Sequence, residues 1–167
     1  IDPEIIAEGL SSYEGIGRRM DKICVTENGA VLYSDYAHHP TEITTTLSGV
    51  DKICRGKLNV VFQPHTFSRT AELFDDFVSA FSESGADEIV LCDIYPAREE
   101  PIPGVTSEII FRNVTAPEKI LLKKEELMDY MKELEIGEKE VFVTVGAGDI
   151  DRFVGPIGEL LREKILH

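Results

Sequence analysis

No run of apolar residues in the chain approaches the ~20 that a membrane span requires, and no secretory signal pattern opens it. Basic residues are scarce: 17 Lys and Arg stand against 31 Asp and Glu, a net charge of −14. A surface of that sign repels phosphates and argues against a nucleic-acid or anionic-membrane partner. Cysteine is scarce too. Cys24, Cys54 and Cys92 are odd in number and lack C-x-x-C spacing, so they read as reduced thiols in a cytoplasmic protein. Cys92, inside "EIVLCDI", reads as a buried strand residue. There are no internal repeats and no low-complexity tracts. G-x-x-x-x-G-K-[ST] is missing, and no G-x-G-x-x-G follows the first strand. Whatever nucleotide chemistry the chain assists, it carries no P-loop of its own.

What is present suits one compact domain with a real core: 167 residues, 43% of them hydrophobic. The opening "IDPEIIAEGLSSYEGIG" (1–17) reads as an interdomain connector, and the chain as a piece of something larger. Beyond it, strand and helix alternate. "AVLYSDY" (30–36) is a strand paired with 22–26 across Glu27-Asn28-Gly29, a strong hairpin signal. Pro40 fits the first turn of a helix running to about Lys52. "KLNVVFQP" (57–64) is a continuous apolar strand. From Arg69, the residues Leu73, Phe74, Phe77, Val78 and Phe81 mark one helical face that Gly85 ends. "DEIVLCDI" (87–94) is the next strand, followed by a Pro-rich loop and a short helix near 106–112. "KILL" (119–122) is a brief strand, and a helix carrying Leu127, Met131 and Leu134 closes near Gly137. "EVFVTVGAGD" (140–149) is the last strand with its glycine turn. Asp149 is placed to cap a final helix that Gly155-Pro156 should break in two. The fold class is therefore α/β: a mostly parallel, open, Rossmann-like sheet with helices on both faces and an N-terminal β-hairpin.

Ligands bind such sheets beyond the carboxyl ends of the strands. Four strand ends carry unusual residues: "DYAHHP", "QPHTFSR", "DIYPAREEP" and "VGAGD". Three of the four histidines, His38, His39 and His65, fall in the first two. Asp35 and His39 each suit a helix cap as well as a ligand. Arg69 at a helix start opposes the positive end of the dipole, which a nearby anion would relieve. Arg18 and Arg19, beside Gly15 and Gly17, are suited to grip an anion bidentately or to stand as solvated charge. "GAGD" is a weak phosphate signal, and Glu99 and Glu100 read as solvated. One acid, three imidazoles, a phenol and up to three guanidiniums on one edge suit a polyanionic nucleotide and a small carboxylate. Two rival readings stand beside this. Asp35, His38, His39 and His65, with Asp93, would make a ligand set for a metal-dependent phosphoesterase. The chain would otherwise be a stand-alone nucleotide-binding module.

"SDYAHHPTEI", "VVFQPHTFSRT", "DIYPAREEPIPGVTS" and "VTVGAGDI" occur in an order and spacing that resemble the C-terminal third of the Mur ligases. The D-Y-A-H element fits several members; Q-P-H-x-x-x-R points to the alanine-adding branch. The family often shows two acids before the Tyr. Here the first is Ser34, which leaves Asp35 as the candidate acid. The resemblance implies that 18–167 is the amino-acid-binding and lid domain of a three-domain, ATP-dependent amide-forming ligase. The UDP-sugar domain and the central ATPase domain would lie outside this chain, which alone should be inactive. ATP, Mg²⁺, UDP-N-acetylmuramate and L-alanine would be the ligands of the parent enzyme, with no metal site here. By the same resemblance Asp35 would bond the ATP ribose and Arg19 would reach the nucleotide. Tyr36 and Arg69 would hold the alanine carboxylate. His38 and His65 would line the reaction centre, and His39 would hold the helix mouth.

Overall fold

The structure, a computed structural model, describes residues 2–12 and 17–165. Gly15, beside the arginine pair, and the terminal His167 lie outside the described residues. Among the described residues six strands form one sheet in the order β1-β2-β6-β3-β4-β5. They are β1 (Asp21–Val25), β2 (Val31–Asp35), β3 (Leu58–Phe62), β4 (Glu88–Leu91), β5 (Glu118–Leu121) and β6 (Val141–Val145). The β1–β2 hairpin is antiparallel and every other pairing is parallel. The expected architecture is thus the observed one. β3 and β6 are buried along their whole length, which is why they read as unbroken apolar runs.

Helices cover both faces. On one lie α2 (Pro40–Ile53), α3 (Phe67–Glu72), α4 (Phe74–Ser82) and α5 (Ser107–Asn113). Ile43 and Leu47 of α2 and Phe77 and Phe81 of α4 pack there on Leu58, Val60 and Phe62. On the other face lie α6 (Leu127–Glu133) and α7 (Asp151–Ile165). They set Leu127, Met131, Ile157 and Leu161 against Val61, Val90 and Phe142. The alternation of odd and even β3 residues between the two faces follows from the period of two along a strand. An N-terminal helix, α1 (Pro3–Ser11), is exposed at its described positions.

Three local expectations are corrected. The helix expected from Arg69 starts at Phe67 and divides at Leu73, which leaves helical geometry at φ −108°, ψ 24°. Hydrogen bonds continue across the division, Leu73 N–H to Arg69 and Phe77 N–H to Leu73, so the apolar face carries through. Gly155-Pro156 does not split α7. The buried stripe Val154, Ile157, Gly158 and Leu161 offsets the bond that Pro156 cannot donate. Asp149 does not cap α7 with its side chain, because its carboxylate is engaged elsewhere.

That engagement ties the strand ends together. Gln63, fully buried after β3, donates its amide to Asp149 Oδ1 at 2.9 Å and accepts Ile150 N–H at 2.9 Å. Lys124 Nζ binds the other Asp149 oxygen. The Lys124 backbone N–H reaches Asp93 Oδ1 at 2.7 Å. Gly148 must be glycine here: a Cβ would stand 2.5 Å from Gln63 Oε1 and 2.7 Å from Tyr95. The glycines of "GAGD" thus serve the close packing of these loops.

Two measurements test these assignments. Phe62, fully buried and 4.7 Å ring-to-ring from Phe81, should cost about 3–5 kcal/mol of stability when replaced by Ala. Urea unfolding checks this; a loss under about 1 kcal/mol would remove it from the core. Burial works to raise the Asp149 pKa, but hydrogen bonds from Lys124 and Gln63 outweigh it and hold the group below the ordinary aspartate value. A depressed folded pKa stabilises fully above the unfolded value, near pH 4, and loses that effect as pH falls through the folded value. Urea unfolding from about pH 7 down to about pH 2.5 should show a steeper acid loss in the wild type than in Asp149→Asn. Equal slopes would contradict the clamp.

Candidate functional site

The carboxyl edge of β2 begins the site. Asp35 ends that strand, 5% exposed. Its two carboxylate oxygens accept Ala37 N–H at 2.7 Å and Met20 N–H at 2.8 Å. This folds the 18–20 segment over the strand end, where Arg18 C=O accepts Tyr36 N–H at 2.8 Å. Two left-handed residues, Arg18 at φ 64° and Met20 at φ 48°, make the turn that aims both arginines at one ring. Arg18 Cζ lies 4.6 Å and Arg19 Cζ 5.7 Å from the Tyr36 ring centroid. Arg18 is also paired with Asp151 at 3.0 Å, and Arg19 with Glu42 at 3.3 Å.

From Tyr36 a row of rings crosses the strand ends. Tyr36 and His38 are 5.3 Å apart, His38 and His65 5.8 Å, and His65 and Tyr95 5.6 Å. The last two are joined through the backbone. Thr66 N–H donates to Tyr95 C=O at 2.8 Å, and Tyr95 N–H to Pro64 C=O at 2.8 Å. Arg69, one turn into α3, brings Nη1 to 3.4 Å from His65 Nδ1. Among the described residues no carboxylate lies within ion-pair distance of Arg69. Between His65 and α3, Thr66 is held at φ 69°, ψ 146°, a strained conformation for a β-branched residue that costs about 1–3 kcal/mol and clusters at functional sites.

His39 does hold the helix mouth. Its Nδ1 accepts Thr41 N–H at 3.3 Å, and Pro40 takes the first helical position. The reciprocal partner is Glu42, whose carboxylate accepts the N–H of His38 at 3.1 Å and of His39 at 3.3 Å. Burial works to raise the Glu42 pKa. Those two backbone donors, with His38 and Arg19, outweigh it and hold the carboxyl below the ordinary glutamate value. His65 shifts down: burial is the chief cause, then the charge of Arg69 and His38, against the opposing Glu99.

The six residues singled out in the sequence thus fall into two adjoining groups. Tyr36, His38, His65 and Arg69 share the ring row. Asp35 and Arg19 share a neighbouring cavity of about 300 Å³ with Thr41, Glu42, Thr45 and Thr46. Sequence reasoning missed three participants. Glu42 was readable as the third residue after a helix cap, a capping-box position. Glu99, read as solvated, binds Ser68 through both its N–H, at 2.9 Å, and its hydroxyl, fastening the Pro-rich loop to α3. Tyr95 carried no signal beyond its place after a strand. A larger cavity of about 500 Å³, with Phe67, Asp93 and Leu122 in its wall, lies beyond β4 and β5 and takes in none of the row. Among the described residues, no three His, Cys, Asp or Glu side chains converge in a way that would hold a metal ion. The metal-dependent phosphoesterase set of Asp35, His38, His39, His65 and Asp93 is therefore not assembled, since His39 and Asp35 are spent on backbone N–H groups. None of the described helices is long and apolar enough to cross a membrane.

Residues 18–148 match the family model of the Mur ligase glutamate ligase domain. The UDP-N-acetylmuramate–L-alanine ligase of Parabacteroides distasonis is 45% identical over 166 residues, 99% of this chain and 35% of that relative. The protein of the same name from Clostridium acetobutylicum is 41% identical over 98% of this chain and 35% of its own length. The chain thus spans about a third of the length of these curated relatives. Among solved structures, UDP-N-acetylmuramate–alanine ligase from Thermotoga maritima superposes with a TM-score of 0.77 at 26% identity, over 98% of this chain and 34% of that one. A bifunctional folylpolyglutamate synthase/dihydrofolate synthase from Yersinia pestis shares the fold at a TM-score of 0.61 and 13% identity, over 96% of this chain and 34% of that one. On the match across residues 18–148, this chain belongs to the Mur ligase family.

Proposed function

We propose that the chain is the C-terminal domain of a UDP-N-acetylmuramate–L-alanine ligase, with 1–17 as connector and 18–167 as the amino-acid-binding and lid domain. The parent enzyme works in the cytoplasm on a cell-wall precursor. The muramyl carboxylate takes the γ-phosphoryl group of ATP, the amine of L-alanine attacks the acyl phosphate, and phosphate leaves. The family match and the names of the relatives support the reaction. The observation that carries the assignment of roles is Arg69. Among the described residues it is a guanidinium with no carboxylate in ion-pair distance, in an acidic chain, at the ring row.

Arg69 and Tyr36 hold the alanine carboxylate, a fork and a phenol donor suited to that group. His38 and His65 stand where the acyl phosphate meets the amine. Arg19, with Asp35, closes on the nucleotide from the adjoining cavity. Mg²⁺ supplies charge neutralisation on the transferred phosphoryl group when bound. The chain carries no P-loop, and in this reading ATP and Mg²⁺ are held mainly by the parent enzyme's central domain.

Two experiments test the reading. In the parent enzyme, Arg69→Ala should cut kcat/KM for alanine ten-fold or more and leave the ATP constant nearly unchanged, since a charge-assisted bond contributes about 1.5–3 kcal/mol. Arg69→Lys should rescue only in part. Arg19→Ala should show the opposite bias. It is a cleaner probe than Asp35, which also holds two backbone N–H groups. Reversed biases would exchange the two ligand assignments, and two silent variants would mean that this edge is not the site. Separately, the purified chain alone should hydrolyse no ATP, because it has no P-loop. Hydrolysis above that of a matched inactive control would overturn the domain assignment.

A further inference from the structure

The two imidazoles of the row are bonded differently. His38 Nδ1 lies 3.0 Å from the Tyr36 carbonyl oxygen and 3.5 Å from Glu42 Oε2. Both are acceptors, so Nδ1 carries the hydrogen, and in the neutral ring Nε2 holds a bare lone pair. His65 Nδ1 faces Arg69 Nη1 at 3.4 Å. A guanidinium has donors only, so His65 Nδ1 must accept, and its hydrogen sits on Nε2. Protonating His65 Nδ1 would set N–H against N–H.

We propose that His38 and His65 hold opposite tautomers and divide the acyl-transfer step, His38 Nε2 taking a proton from the incoming ammonium group and His65 Nε2–H donating to an oxygen of the acyl phosphate. This rests on the ligase reading given above. The ammonium N–H proton passes to His38, which becomes imidazolium, and the freed nitrogen lone pair bonds to the acyl carbon. The C–O bond to phosphate breaks, and phosphate leaves with that electron pair and the second proton of the nitrogen. His65 never changes charge.

The surroundings favour this division. Facing His38 are Glu42 from α2, Tyr36 from its own loop and His65 from the β3–α3 loop. The Glu42 carboxylate stabilises the imidazolium that His38 would become. Facing His65 are Arg69 from α3, His38 from the β2–α2 loop, and Tyr95 and Glu99 from the β4–α5 loop. Only Glu99 favours a charged ring. Burial and the Arg69 guanidinium hold the His65 pKa below the ordinary imidazole value. The two rings thus differ in what faces Nδ1: a carbonyl and a carboxylate, both acceptors, at His38, and a guanidinium donor at His65.

The test has two arms. In the first, this chain is labelled with ¹⁵N-histidine, and two-bond ¹H–¹⁵N correlations are recorded at a pH where the rings are neutral. His38 should show the Nδ1–H pattern and His65 the Nε2–H pattern, assigned by their loss in His38→Gln and His65→Gln. Should a variant fail to fold, contacts of the ring protons with Tyr36 and Tyr95 in the wild type assign them instead. The same tautomer on both rings, the reverse pair, or rapid averaging at either ring overturns the inference. In the second arm, the full-length ligase carrying this domain is assayed for amide formation. His38→Gln should lose on the order of 100-fold in kcat at neutral pH. Its rate should go on climbing, about ten-fold per pH unit, above the range where the wild type levels off, as solvent takes over the deprotonation. His65→Gln, which keeps an N–H near the Nε2 position, should lose about ten-fold or less with the wild-type profile. Equal losses with unchanged profiles overturn the division of labour. A full-length protein that forms no amide bond refutes the ligase reading while leaving the tautomers to stand or fall on the first arm.

Discussion

The Gln63 carboxamide, fully buried at the end of β3, has one carbonyl and one amide group to satisfy, and it satisfies both on the β6–α7 loop. An unpaired buried amide would cost about 1–3 kcal/mol, so the β3 and β6 ends cannot separate cheaply. Asp149 passes the constraint to Lys124 beyond β5, and Lys124 passes it to Asp93 beyond β4. Every loop that contributes to the row after β2 is indexed against this chain of bonds. Two residues past Gln63 stands His65, whose ring position follows from where that amide is fixed.

The charge of the domain makes sense on the same edge. A net −14 would repel the nucleotide and the carboxylate of the proposed function alike. The cationic groups are therefore gathered locally, and each is bound differently. Arg18 is paired with Asp151 and stacked on Tyr36, while Arg19 is shared between Tyr36 and Glu42. Arg69 leans on an uncharged ring nitrogen. A guanidinium next to a neutral acceptor keeps its charge available at short range, which a paired one does not.

The fold was legible in the sequence because its signals are local. Asn28-Gly29 fixes the hairpin, Pro40 the start of α2, and unbroken apolar runs fix β3 and β6. The grouping of His38, His65, Tyr36 and Arg69 was legible because parallel strands place their carboxyl ends on one edge. What escaped depends on partners distant in sequence. Pro156 reads as a breaker until the buried stripe of α7 is weighed against it. Asp149 reads as a cap until Gln63 and Lys124 compete for its carboxylate. Glu99 reads as solvated because nothing in its own loop announces the Ser68 N–H it will meet.

The position of β6 has a consequence for how the domain comes into being. Val141–Val145 is the last of the described strands, yet it lies between β2 and β3. During synthesis the hairpin and the β3–β4–β5 half can form first, each with an open, apolar strand edge facing the gap. Only when the final strand leaves the ribosome can the two halves join. Such long-range parallel pairing is slow and leaves intermediates open to aggregation. Expression yield and chaperone dependence of this domain should therefore be governed by a short stretch near its carboxyl end.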